Sequence, residues 1–392
     1  VPIDRGRKLE RKDLEPYFAT GRRAEAKAAY DRRRWAEVRT LLEGEGDDPP
    51  VRWLRALAGV QLKDTKAAAA ELEALAGVWP GMKDRCLVLA GQQYEELKDH
   101  PSAIRVYAQV APASRQAFDA ALGLSRAYRS TRQAAKARDA LASFAERPAP
   151  PWGRDVGAEA LLQLADLAAA RRDAKAEAEA AQKLWSLHPS SPAAKKLDVA
   201  RVGPITHALT VARADQLIEA HRNQEGLDLL APIISELKLP DPLACRGHFA
   251  LGRGQRKQRQ HAKAVQTLAP VVKRCAADPD LKARAAYVLG FSRSVLDPKA
   301  GALVYEQLAR DAPDHPFADD ALFYAADGRL RGGDVTAARA LLARLVERYP
   351  DGDWAAEGLF RQAWLARAEK AWPDAKADLE AIEQRFTASD DP

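Results

Sequence analysis

Along most of the chain, apolar residues return at i, i+3 and i+4, and no sustained stretch shows the period of two that a half-buried strand requires. The segment AARALLARLVERYP is representative: Ala338, Leu341, Leu342, Leu345 and Val346 form one stripe, and Pro350 stops the helix. Breaks carrying Pro, Gly or Asp interrupt the pattern every 12 to 20 residues, among them GEGDDPP, KDHPS, HPSSP, KLPDP, APDHP and RYPDGD. Helices of that length joined by loops that short must lie beside their chain neighbours. The pattern therefore predicts a succession of antiparallel helix hairpins.

The hairpins repeat. DAPDHPFADDALFYAADGRL, starting at Asp311, is answered 37 residues later by RYPDGDWAAEGLFRQAWLAR. LAPII at Leu230 returns as LAPVV at Leu268, and Leu268, Tyr305, Leu342 and Leu379 then follow at 37-residue intervals. A period in this range fits tetratricopeptide-like units, nominally about 34 residues with a few added in the turns. In the unit ending at Pro350, Leu322, Ala325 and Ala326 face the core from the first helix, and Ala338, Leu342 and Leu345 from the second. The last unit repeats this with Leu359, Ala363, Ala375, Leu379 and Ile382. One unit cannot bury its apolar face alone, so neighbours must stack. The expected fold is all-α, a right-handed α-superhelix or solenoid of antiparallel helix hairpins. Upstream, helix pairs are expected at 51–79, 82–111, 114–147 and 155–188. HPSSPAAKKLDVARVGP, residues 188–204, reads as a bend between a less regular region, 1–200, and a regular one, 201–392, of one continuous solenoid.

Composition changes this picture little. The 392 residues are 47% hydrophobic and 30% charged, which argues against bulk disorder. No apolar run approaches the ~20 residues that cross a bilayer. The seven histidines show no metal-ligand spacing, and there is neither a nucleophile elbow nor a phosphate-binding glycine loop. LGRGQRK at Leu251 has the glycines but no preceding strand. Asp319 and Asp320 read as charges at a helix N-terminus. Trp185, Trp354, Trp364 and Trp372 fall at repeat positions and are expected to pack in the core or between repeats. No catalytic residue, metal or cofactor is expected.

Charge singles out one hairpin. Between Leu243 and Ala277 there is no acidic residue and there are eight basic ones. Arg253, Arg256, Lys257, Arg259 and Lys263 cluster near its expected turn at Gln260. They form either a solvated tip or a site for an anion or partner. Phe249 is the only aromatic there, which argues against nucleic acid. Cys245 and Cys275 each lie 15 residues from Gln260, so an antiparallel pair brings them level. They form either a disulfide, with Cα atoms about 5.5–6 Å apart, or two separate core thiols. Cys86, in MKDRCLVLAG, is expected to pack as a small buried hydrophobe.

The alanine-rich first half, the HPSSPAAKKLD junction and the units containing APDHPFADDALFYAADGRLRGGDVTAARALLARLVERYPDGDWAAEGLFRQAWLA occur in this order. Together they resemble the amino-terminal superhelical region of bacterial soluble lytic murein transglycosylases over most of the chain. The resemblance implies a periplasmic helical scaffold joined to a carboxy-terminal lysozyme-like domain that cleaves glycan strands with one glutamate. The Glu-Ser pair and Gly-Leu-Met-Gln motif of that domain do not occur here, and the only methionine is Met82. The expectation is a non-catalytic scaffold that positions peptidoglycan or a partner domain, its signal peptide absent from this chain. The alternative is a stand-alone tetratricopeptide adaptor for protein partners in an envelope assembly, with the cytoplasm as the alternative location.

Overall fold

At nine hairpin turns among the described residues, one residue sets the direction of the helix that follows. Arg33, Lys63, Lys98, Arg132, Arg172, His221, Arg259 and Lys370 all adopt φ of 59–62°, and Gly333 adopts 81°. This is the left-handed cap that ends a helix without a loop. At each turn the next residue's N–H reaches back five residues, as from Asp99 to the Tyr94 carbonyl at 2.9 Å and from Gln260 to that of Gln255 at 2.9 Å. The following helix starts at once and runs back along its predecessor.

The computed structural model describes residues 17–386. Among the described residues there are 21 α-helices and no strand, an all-α helical-repeat fold. They fall into two compact units divided between Ala181 and Gln182, inside a helix that precedes the 188–204 segment.

The first unit contains α1 (Gly21–Asp31), α2 (Trp35–Leu41), α3 (Pro49–Gln61), α4 (Thr65–Val78), α5 (Lys83–Glu96), α6 (His100–Tyr107), α7 (Ala117–Ser130), α8 (Ala134–Ala145) and α9 (Val156–Ala170). The division falls within α10 (Ala174–Leu187). Close approach is built from small residues. Tyr107 lies against Gly91 and Gly123, where an added Cβ would come within 2.5 and 2.2 Å of its ring. Cys86 is fully buried, and burial pushes its thiol pKa up to about 11.

The second unit runs through α11 (Pro192–Lys196), α12 (His207–Glu219), α13 (Asn223–Leu230), α14 (Pro242–Lys257), α15 (His261–Arg274) and α16 (Pro279–Leu296). It continues through α17 (Pro298–Asp311), α18 (Ala318–Arg331), α19 (Val335–Arg348), α20 (Ala355–Ala368) and α21 (Trp372–Phe386). Among its hairpins the α16–α17 turn alone lacks a left-handed residue; there Asp297 caps α17 by accepting from the N–H groups of Lys299 and Ala300. Leu268, Tyr305 and Leu342 are buried at the repeat positions, together with Leu322, Ala325, Ala326, Ala338 and Leu345.

Three repeat positions depart from the pattern. Leu379 is 49% exposed although its three counterparts are buried. Trp364 and Trp372 are exposed as well, whereas Trp185 is buried and Trp354 stacks on Phe323 with centroids 3.9 Å apart. The expected packing of Trp364 and Trp372 does not occur, because among the described residues no further hairpin lies over α20 and α21.

Candidate partner-binding groove

The basic hairpin is α14–α15, and its turn falls at Arg259 and Gln260 as the charge pattern places it. Its cations are not one free cluster. Arg253 donates to Glu219 at 2.7 Å and to Asp215 at 2.8 Å, both on α12, and only 12% of its side chain is exposed. Lys257 donates to the Ile218 carbonyl at 2.7 Å, satisfying the end of α12, and burial lowers its pKa. Arg256 lies on the Phe291 ring, its guanidinium carbon 4.9 Å from the centroid. Arg259 and Lys263 are exposed. The acid-free segment is thus compensated by acids one repeat upstream, which a window along the chain does not register.

Cys245 and Cys275 face each other across the same hairpin. They are joined by a disulfide, with Cα atoms 6.0 Å apart, and both are buried. The bond ties the start of α14 to the end of α15.

A groove of about 370 Å³ lies next to this hairpin, across the first helices of three successive pairs, α12, α14 and α16. Val211 and Leu281 form its apolar floor with Phe249, and two arginines, Arg246 and Arg284, line its sides together with three carboxylates, Asp215, Asp278 and Asp280. Phe249 is held between two guanidinium groups, those of Arg253 at 5.8 Å and Arg284 at 5.3 Å from the ring centroid. Arg284 also pairs with Asp280 at 3.6 Å, and Asp280 meets His315 at 3.3 Å. Arg246 and Arg284 are exposed at the groove. They stand 38 residues apart on consecutive first helices, one more than the 37 that separate the helix starts at Pro242 and Pro279. Nothing in the repeat spacing singles them out, because at the offset of 37 each arginine meets a small residue, Ala283 or Gly247.

The stripe of first-helix contacts continues through α18 and α20. Tyr287 stacks on Phe317 at 4.5 Å. Asp320, in the first turn of α18, accepts from the Trp354 indole N–H at 2.9 Å and from the Tyr287 hydroxyl at 3.5 Å. Burial raises the Asp320 pKa, with Asp319 and Asp353 adding to the effect. In the first unit, a second groove of about 570 Å³ has three arginines on its wall. There each is already paired: Arg39 with Asp64 at 3.0 Å, Arg52 with Glu71 at 2.6 Å and Arg55 with Asp47 at 3.0 Å.

Among the described residues no group of His, Cys, Asp or Glu could hold a metal ion, and no helix is long and apolar enough to cross a membrane. The cationic groups the groove presents are the Arg246 and Arg284 guanidiniums, while the Phe249 ring is 6% exposed.

Residues 320–352 match the tetratricopeptide repeat model, the stretch that spans α18, α19 and the turn after them. Among solved structures, a chain of the crystal structure of the APC/C hetero-tetramer Cut9–Hcn1 is similar, at 14% identity and a TM-score of 0.30 over 97% of this chain and 80% of that one. No curated protein matches.

Proposed function

We propose that this chain is a repeat scaffold of the bacterial envelope, of the soluble lytic transglycosylase-like kind, whose groove beside Phe249 holds a carboxylate-bearing chain. The tetratricopeptide repeat supports protein-partner binding in general, since stacked hairpins present extended surfaces to a partner. The observation that carries the finer reading is the pair Arg246 and Arg284, both exposed on one groove. Guanidinium forks match carboxylates, and a peptide stem of the cell wall carries several. The periplasm belongs to the same reading. The buried Cys245–Cys275 bond supports it, because disulfides persist in oxidising compartments. The scaffold carries no cleavage chemistry of its own.

Co-sedimentation with purified sacculi tests the proposal. The chain pellets with sacculi at low salt and is released as salt rises, since screening at ~8 Å weakens exposed contacts at physiological ionic strength. Soluble anhydro-muropeptides do not appear above a buffer control. Failure to pellet at low salt removes the cell-wall reading. In that case a mixed-charge groove carrying Asp280 beside Arg284 favours the stand-alone adaptor.

A further inference from the structure

The second helices of two successive pairs, α15 and α17, flank a groove of about 530 Å³ that runs along α16. Its lining is apolar and is cut deep by small residues, Ala269, Ala283 and Ala286 among them. One repeat on, 37 residues, Phe323 stands in the place of Ala286 and is stacked on Trp354. Leu303 on the groove wall is 53% exposed. The same position of the second helix is Gln266 one repeat before it and Ala340 one repeat after it, so the repeat itself does not require a leucine there. An apolar groove with an exposed leucine on its wall marks a contact site.

We propose that this groove seats an amphipathic helix of a protein partner, with an acidic residue at each end of the seated face. The backbone of α15, α16 and α17 is engaged in its own helices. An extended occupant would therefore leave N–H and C=O groups unpaired over the apolar floor, whereas a helix satisfies its own. The charge of the occupant follows from the ends of the groove. Lys273 stands at the end of α15, beside the start of α16, and Arg293 near the end of α16. Among the described residues neither side chain has an ion-pair or hydrogen-bond partner. Lys282 is already paired at 3.1 Å with Asp311, the one acid among the described lining residues. The groove thus keeps two unanswered cations and no free acid. On α16, Lys282 at the first end and Arg293 at the other are 11 residues apart, about 16 Å. A helix brings its positions i and i+11 onto one face across the same distance, three turns apart. Glu or Asp at those positions, with an apolar stripe at i+3, i+4, i+7 and i+8, meets the floor and both cations at once.

The probe is a fluorescein-labelled peptide of about 18 residues, long enough to hold a helix. It carries glutamate at i and i+11, leucine on the stripe, and alanine and glutamine elsewhere. Fluorescence anisotropy with the full chain is expected to show saturable binding. A peptide with lysine at the two acidic positions binds about tenfold more weakly. Leu303→Gln, the residue the preceding repeat carries there, weakens binding of the glutamate peptide about tenfold, as loss of an apolar anchor does. Lys273→Glu/Arg293→Glu reverses the preference, so that the lysine peptide binds the tighter. Circular dichroism confirms the fold of each variant, and Leu303→Gln tests the groove independently of the charge reversal. Absence of saturable binding at about 200 μM chain overturns the proposal. Binding indifferent to Leu303→Gln overturns it too, as does a preference for glutamate that survives the double reversal. Self-association in sedimentation velocity that Leu303→Gln abolishes also overturns it, because a second copy then fills the groove. None of these outcomes bears on the groove beside Phe249.

Discussion

Leu342 and Leu379 occupy the same repeat position but not the same environment, and truncating each to alanine separates what repetition specifies from what stacking supplies. Leu342 is buried among Tyr305, Leu322, Ala338 and Leu345, on a helix that has a neighbour on both sides. Leu342→Ala removes its transfer energy and leaves a cavity the surrounding helices cannot collapse, a loss of about 3–4 kcal/mol. Leu379 keeps half its surface in water. Leu379→Ala forfeits only part of the roughly 1.5–3 kcal/mol that full burial brings, and no closed cavity forms, so about 1 kcal/mol is expected. Urea unfolding followed at 222 nm measures both. Leu268→Ala, at the buried position two repeats upstream, serves as the control and falls with Leu342→Ala. Equal losses at Leu342 and Leu379 would refute the reasoning, for they would mean that burial in a stack is not what stabilises these positions.

Under non-reducing denaturation one thiol per chain titrates, that of Cys86, because Cys245 and Cys275 are paired; three free thiols contradict the pairing. Replacing both paired cysteines with serine releases a loop with a sequence separation of 30 residues. On the chain-entropy model that lowers stability by about 3–4 kcal/mol, read by urea unfolding. The Asp320 carboxyl has its folded pKa raised by burial, so its ionised form costs stability at neutral pH, and the cost fades as pH falls through the raised value. Asp320→Asn keeps an acceptor for the Trp354 indole N–H. It is expected to be more stable than the parent chain at pH ~7, with the difference shrinking toward pH ~4, the ordinary carboxyl range; a difference that widens on acidification contradicts the assignment.

The helices and their pairing were legible because two signals agreed, the 3.6-residue apolar period and breaks every dozen or so residues. The turn device was not. Glycine is the usual mark of a left-handed cap, but here arginine, lysine or histidine holds it at eight turns and glycine at one, Gly333. The period of 37 predicted the buried set at Leu268, Tyr305 and Leu342 correctly. It misjudged Leu379, Trp364 and Trp372, because periodicity reports what a repeat is built to bury and not whether a neighbour is there to bury it. The basic segment misled in a related way. Arg253 and Lys257 answer Asp215, Glu219 and the end of α12, groups nearly 40 residues away in sequence and adjacent in the stack. Arg246 and Arg284 meet on one groove only once consecutive first helices are packed side by side.

In the function proposed above, the groove beside Phe249 meets the partner and the hairpin tip does not. Two charge-reversed variants separate these surfaces: Arg246→Glu/Arg284→Glu in the groove and Arg259→Glu/Lys263→Glu at the tip, all four at exposed positions. Sacculus co-sedimentation at low salt compares them with the parent chain. Reversal in the groove is expected to weaken binding about tenfold, ~1.4 kcal/mol, since turning an exposed attraction into a repulsion costs up to ~1 kcal/mol at each of the two positions. Reversal at the tip leaves binding within about twofold, a change of less than ~0.5 kcal/mol. Binding abolished by reversal at the tip, with the groove variant still pelleting, would contradict the account.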